Sequence, residues 1–125
     1  MSLHLVGYCY ASQGKYAEAL PWLEHAVAAQ ERGDLHGRVD SQNLGVSLHQ
    51  VGDCYASQGK YADALPWLER AVAAKQRGDL HGQVDLQSLG GSLDLLGACH
   101  ARLGNIEDAR MWSERASRVK RGSEP

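Results

Sequence analysis

Residues 47–72 read SLHQVGDCYASQGKYADALPWLERAV, and residues 2–27 repeat this stretch with few changes. Aligned over their full length, residues 2–45 and 47–90 are identical at 35 of 44 positions. A third, more divergent copy follows, because residues 92–121 keep 13 of the 30 residues found at 47–76. The repeat period is 45 residues. Such a period predicts a stack of similar units, each of which buries its apolar face against its neighbours.

Apolar residues in the second copy follow the spacing of an α-helix. One helix face is formed by residues at steps of four, three and four, namely Leu44, Leu48, Val51 and Tyr55. Asp40 is placed to cap this helix, Gly59 ends it, and Gly78 closes the helix that follows. We predict two helices in this copy, at roughly 41–57 and 60–77, with the same pair in each repeat and no strand.

The repeat sets the expected organisation of the chain, which we read as a single domain over residues 1–125. Repeat 1 spans residues 1–40 and has a shortened first helix, while repeat 2 spans 41–85. Repeat 3 spans 86–121 as a C-terminal capping copy, and residues 122–125 form a frayed tail.

The spacing of small and aromatic residues resembles the tetratricopeptide repeat family. Copy two carries Leu48-x2-Val51-Gly52-x2-Tyr55, followed by Gly59-x-Tyr61, Ala64-x3-Leu68 and Ala71. The period is longer than the usual ~34 residues, and in this respect the chain is similar to kinesin light chain and bacterial relatives. The resemblance implies an all-α fold: an α-solenoid of antiparallel helix pairs, wound as a right-handed superhelix of about three repeats.

Composition excludes several classes of protein. With 43% hydrophobic and 22% charged residues the chain is too apolar for disorder, and it has no apolar run of the ~18 residues that span a membrane. The N-terminus lacks the pattern of a signal peptide, so we expect a cytoplasmic protein. A formal net charge of −2 favours neither nucleic acid nor a membrane surface as a partner.

No motif for catalysis appears, and we expect neither an enzyme nor a cofactor. The three cysteines, Cys9, Cys54 and Cys99, occupy the same helical site in successive copies. Equivalent sites on packed helices lie beyond the ~7 Å limit between disulfide-linked Cα atoms, so all three are predicted to be reduced, buried core residues.

Two further recurring features could form surface sites. Asp34-x-His36 recurs as Asp79-x-His81, and we favour a turn-capping role for the two aspartates over metal binding. A tryptophan row consists of Trp22, Trp67 and Trp112. We interpret each ring as a cover for loop residues such as Leu80 and Val84, and an aromatic row for a partner remains the alternative.

The two ends of the array differ in polarity. A stripe on the second helix turns polar in the third copy, since Leu20, Leu23 and Val27, then Leu65, Leu68 and Val72, become Arg110, Ser113 and Ser117. A polar outer face is typical of a terminal repeat, so we expect the array to end there. The short first helix leaves Leu3 and Val6 poorly covered, and we expect a homodimer through this N-terminal edge.

The family resemblance implies a protein or peptide partner on a concave surface lined by the first helices. The lining side chains would be His4, Tyr8, Ser12, His49, Asp53, Ser57, Asp94 and Arg102. None is Lys or Asn, the residues with which the family clamps a terminal carboxylate, so a polar or weakly basic segment suits this surface better. The alternative is a structural or self-assembling module without a specific ligand, which the near-identity of the first two copies favours.

Overall fold

The computed structural model describes residues 3–122, apart from the side chain of His4, and this part of the chain forms six α-helices and no strand. In chain order they are α1 (Leu3–Ser12), α2 (Tyr16–Arg32), α3 (Ser41–Ser57), α4 (Tyr61–Arg77), α5 (Leu86–Arg102) and α6 (Ile106–Lys120). The predicted all-α fold is confirmed, and the helices of the second copy end within one residue of their predicted bounds.

Local chemistry at the helix ends explains where the helices begin and stop. The Asp40 side chain accepts a hydrogen bond from the backbone N–H of Asn43 at 3.1 Å, and Asp85 caps α5 through Ser88 in the same way at 3.0 Å. Between α3 and α4 the chain turns through Gly59, whose φ of +77° is a conformation that other residues rarely adopt. These caps and turns recur, so each copy folds into the same helix pair.

Each helix packs against the helices before and after it. Within a repeat, α1 packs on α2, α3 on α4 and α5 on α6, while α2–α3 and α4–α5 form the contacts between repeats. Gly52 allows the close approach of α3 and α4, because a Cβ atom there would lie 2.6 Å from Cγ of Leu68. The small residue of the repeat pattern is therefore a packing requirement.

The hydrophobic core consists of two clusters, one on each side of the middle repeat. The first joins α2, α3 and α4 around Leu23, Leu48 and Val51, and the second joins α4, α5 and α6 around Leu68, Leu93 and Leu96. The predicted stripe on the second helices is buried at Leu23 and Leu68, whereas Arg110, Ser113 and Ser117 are exposed. The expected change in polarity along the array is confirmed.

One prediction about the core is wrong. Cys54 and Cys99 are buried, but Cys9 is exposed, and all three are free thiols. Cys54 packs into the cluster that contains α2, and Cys99 into the cluster that contains α4. In the described part of the chain no helix precedes α1, so the same helical site is uncovered at Cys9. The predicted tail at 122–125 lies outside the described residues except for Gly122.

Candidate functional site

The first helices of the three repeats lie side by side, with α1 next to α3 and α3 next to α5. Three cavities open between them, two of which are lined by Asp53 and are described first. The first, here called the α1–α3 pocket, has a volume of about 160 Å³ and is lined by Tyr8, Ala11, Ser12, Tyr16, Gln50 and Asp53. The second, the α3–α5 pocket, has a volume of about 250 Å³ and is lined by Asp53, Ala56, Ser57, Tyr61, Leu95, Ala98, Cys99 and Arg102.

The structure brings together most of the side chains that the sequence predicted for this surface. Five of the eight line one or both pockets: Tyr8, Ser12, Asp53, Ser57 and Arg102. His49 lies further along the same groove, in the cavity described below. Asp94 lies outside these cavities and forms an ion pair with Lys120, and the side chain of His4 is outside the described part of the structure.

Asp53 is the residue that the two pockets share. Neighbouring protein atoms partly exclude water from its carboxyl group and raise its pKa, although the side chain as a whole is exposed. No described residue donates a hydrogen bond to this carboxylate or forms an ion pair with it. Arg102 also lines the α3–α5 pocket, but its guanidinium lies over the ring of Tyr61, 6.0 Å from the centroid.

Tyr16, Gln50, Tyr61 and Leu95 line the two pockets but were not predicted for this surface. The sequence also gave no prediction for Lys75, which lines the adjoining cavity. Its relative exposure is 3%, and its Nζ donates hydrogen bonds to the backbone oxygen of Ser88 at 3.0 Å and to Oγ of Ser92 at 2.7 Å. Nδ1 of His49 lies 2.8 Å from the same hydroxyl. The ammonium group of Lys75, a residue of α4, therefore lies between α3 and α5, the helices that line the groove.

Burial dominates the electrostatics of this lysine, serine and histidine. It lowers the pKa of Lys75 to about 8, against a smaller opposing effect of the Asp85 charge. It also lowers the pKa of His49 to about 4, and the positive charge of Lys75 adds to that effect. His49 is therefore neutral at pH 7. Its Nδ1 can accept a hydrogen bond from the Ser92 hydroxyl, which in turn accepts one from Lys75.

A serine beside a lysine and a histidine has the composition of a catalytic nucleophile with its bases. In this cluster of Lys75, Ser92 and His49, however, the serine hydroxyl is not accessible to a substrate. The side chain of Ser92 is fully buried, with 0% relative exposure. A nucleophile has to contact its substrate, so this arrangement fixes the packing of α3, α4 and α5. The adjoining cavity of about 280 Å³ is lined by Val46, His49, Gln50, Lys75, Gln87, Ser88 and Gly91.

A signal for Lys75 was present in the sequence. Lys75 replaces Gln30 of the otherwise similar first copy, and it lies opposite Gly45. A Cβ atom on Gly45 would lie 2.5 Å from Cγ of Lys75, so the glycine makes room for the lysine stem. A glycine on one helix, opposite a lysine on the apolar face of the next helix, predicts that the lysine side chain passes over the glycine.

The loops carry the turns that the sequence predicted. Oδ1 of Asp34 accepts backbone hydrogen bonds from His36 and Arg38, at 2.8 and 2.9 Å. Asp79 accepts the matching pair from His81 and Gln83, at 2.8 and 3.0 Å. The turn-capping role is confirmed. Within residues 3–122, no group of three or more His, Cys, Asp or Glu side chains is placed to hold a metal ion.

The tryptophan row is partly covered. Trp67 and Val39 both pack against the first core cluster, while Trp112 and Val84 both pack against the second. Trp22 and Leu80 stay exposed. Arg70 lies 5.0 Å from the ring centroid of Trp67, and Arg115 lies 5.7 Å from that of Trp112. The rings of copies two and three and Val84 are therefore packed against the core clusters, whereas the predicted cover of Leu80 is absent.

Comparisons with known proteins agree with this architecture. The sequence model of the tetratricopeptide repeat matches residues 1–77. A comparison with curated proteins gave no significant match. None of the described helices is long and apolar enough to cross a membrane.

Solved structures with the same fold include BtubC (BKLC) from P. vanneervenii, with a TM-score of 0.83 and 23% identity over 98% of this chain and 48% of that one. A Podosopora anserina protein of the kinesin light chain type, with nearly identical TPR-like repeats, has a TM-score of 0.70 and 20% identity over 98% of this chain and 56% of that one. This chain therefore spans about half the length of the structures that it matches.

Proposed function

This chain belongs to the tetratricopeptide repeat family, and we propose that it is a non-catalytic scaffold that binds a protein or peptide segment along the groove lined by α1, α3 and α5. Repeats of this family generally mediate protein–protein interactions. The observation that carries the proposal is the pair of adjoining pockets that share Asp53. An extended segment lying across α3 would place successive side chains in the two cavities.

The chemistry of the groove supports a peptide ligand. The α3–α5 pocket combines apolar side chains, such as Leu95 and Ala98, with the polar groups of Ser57 and Arg102. Ligand sites in proteins are commonly apolar with a few polar groups that fix orientation. The groove also contains side chains that the core does not use, since Asp53, Ser57 and Arg102 are exposed.

A steric block tests the proposal. We expect Ala98→Arg to weaken, by at least tenfold, the binding of a peptide selected against the chain from a display library, because the new side chain fills the α3–α5 pocket. The matched control is Ala73→Arg, since Ala73 is exposed on α4 and lines neither pocket. Affinities would be measured by calorimetry. Equal affinity for both variants, or a loss confined to Ala73→Arg, would place binding elsewhere.

The exposed face of α1 favours self-association as a second function. Leu5 is 50% exposed, and Val6 and Cys9 are less covered than their counterparts Val51 and Cys54. At the opposite end of the array, the stripe of α6 that corresponds to the apolar stripes of α2 and α4 is polar and exposed at Arg110, Ser113 and Ser117. A patch on α1 that pairs with itself therefore gives a closed dimer rather than a filament.

Sedimentation velocity tests the dimer. We expect Leu5→Glu to shift the chain from dimer to monomer, while Leu103→Glu, at an exposed leucine on the loop after α5, leaves the mass unchanged. A wild-type chain that stays monomeric at high concentration would contradict this second proposal and leave the first one intact.

The free thiols fit the compartment that we propose, the cytoplasm. Cys54 and Cys99 are buried, Cys9 is exposed, and none of the three forms a disulfide. Reducing compartments keep such thiols free, whereas disulfides form in secreted proteins.

A further inference from the structure

We propose that the α1–α3 pocket binds the guanidinium group of an arginine side chain on the partner segment. This inference rests on the proposed function and names the chemistry of one position in the ligand. It is carried by two hydrogen-bond acceptors that lack donors and by two aromatic rings, all lining one small cavity.

The first acceptor is the carboxylate of Asp53. It lines the pocket, and no described residue forms an ion pair or hydrogen bond with it. Three other acidic groups form ion pairs, Asp34 with Arg38, Glu31 with Arg70 and Asp94 with Lys120, and Asp53 differs from the remaining acidic groups in that it lines a cavity with two tyrosines. A partly desolvated carboxylate without a cation gains more from an incoming positive charge than a fully hydrated one.

The second acceptor is the hydroxyl of Ser12, an exposed residue that lines the same pocket. No described residue donates a hydrogen bond to this hydroxyl. Gln50 also lines the pocket, but its Oε1 is buried, so a ligand in the cavity does not reach that oxygen. The cavity therefore offers accessible oxygen acceptors from two side chains, Asp53 and Ser12.

The walls of the pocket suit a planar cation. Tyr8 and Tyr16 both line the cavity, and Tyr8 is 55% exposed. Arg and Lys both interact favourably with aromatic faces. The guanidinium group is flat and carries five N–H donors in a fixed fork, so it can donate to Asp53 and Ser12 at once while it stacks on a ring. None of the six lining residues is a cation.

The α3–α5 pocket is less suited to an arginine side chain than the α1–α3 pocket. The α3–α5 pocket contains Arg102, which already lies over Tyr61. A second cation would meet repulsion there. The repeat counterparts of Asp53 are Tyr8 and Ala98, so an acidic residue stands at this position only in the second copy, and only the α1–α3 pocket places it beside two tyrosines without a cation.

The experiment uses the whole chain, labelled with ¹⁵N, and two small probes of nearly the same shape, one with a charged guanidinium group and one with a neutral urea group. N-acetyl-arginine N-methylamide is titrated while amide shifts are recorded, and N-acetyl-citrulline N-methylamide is the neutral isostere. We expect saturable, millimolar binding of the arginine probe, with shifts at Tyr8, Tyr16 and Asp53. Asp53→Asn should weaken it at least tenfold, while Asp63→Asn, an exposed aspartate of α4, should bind like wild type.

Several results would overturn the inference. One is a citrulline probe that binds as tightly as the arginine probe, and another is an Asp53→Asn variant that binds the arginine probe with the affinity of wild type. The inference also fails if the corresponding lysine probe binds more tightly than the arginine probe, or if no amide at the pocket shows a saturable shift. The amide spectrum of Asp53→Asn reports directly whether the variant is folded. Failure here is distinct from failure of the proposed function, because the steric block at Ala98 tests peptide binding in the other pocket.

Discussion

Leu68→Ala should destabilise the chain by about 2–5 kcal/mol, the range found when a buried leucine is truncated. Leu68 is fully buried in the cluster that joins α4 to α5 and α6, and it also lies against Gly52 of α3. The truncation leaves a cavity at the contact between repeats. Because each repeat is held only by its neighbours, the damage reaches both sides of the middle copy.

The matched control is Ser113→Ala, the same repeat position in the third copy. Ser113 is exposed, so its substitution should change the free energy of unfolding by less than about 0.5 kcal/mol. Urea denaturation followed by circular dichroism measures both variants. Similar losses at the two positions would mean that α6 buries its outer face, contrary to the exposure of Arg110, Ser113 and Ser117.

A second large effect should appear on acidification. His49 has its pKa lowered from 6.5 to about 4, so between these pH values the unfolded chain binds a proton that the folded chain does not. Stability is therefore fully present above pH 6.5, falls as the pH drops towards 4, and levels off below it. The shift corresponds to roughly 3 kcal/mol.

Comparison of variants isolates this contribution. His49→Gln cannot titrate, so the difference in unfolding free energy between wild type and variant should change by roughly 3 kcal/mol between pH 6.5 and 4. The control is His25→Gln, at an exposed histidine of α2, and the loss of stability between pH 6.5 and 4 should persist in this variant. A difference between wild type and His49→Gln that is constant over this range would contradict the buried, neutral histidine.

Much of the fold could be predicted from local signals. The spacing of Leu44, Leu48 and Val51 gives a helix face, and Asp40 and Gly59 mark its ends, because caps and turns depend on a few neighbouring residues. The exposure of Ser113 could also be predicted, since a leucine that becomes serine at a fixed repeat position indicates that the position is no longer buried.

Features that depend on neighbouring helices were harder to predict. Cys9 shares its register with Cys54, yet its burial depends on a helix that packs in front of α1. Lys75 lies on α4, the second helix of its repeat, which the repeat pattern assigns to the outer layer. Its side chain nevertheless reaches the groove, because Gly45 leaves space for the aliphatic part of the lysine. The pockets at Asp53 arise from the spacing between adjacent repeats, which no single copy contains.

The most direct test of the account is to map where a bound segment lies on the folded chain. A peptide selected against the chain would be titrated into the ¹⁵N-labelled protein. The account predicts amide shifts concentrated on α1, α3 and α5, at residues such as Tyr8, Asp53 and Ala98. Shifts concentrated instead around Trp67 and Trp112, with the groove unaffected, would contradict it and identify the tryptophan row as the binding surface.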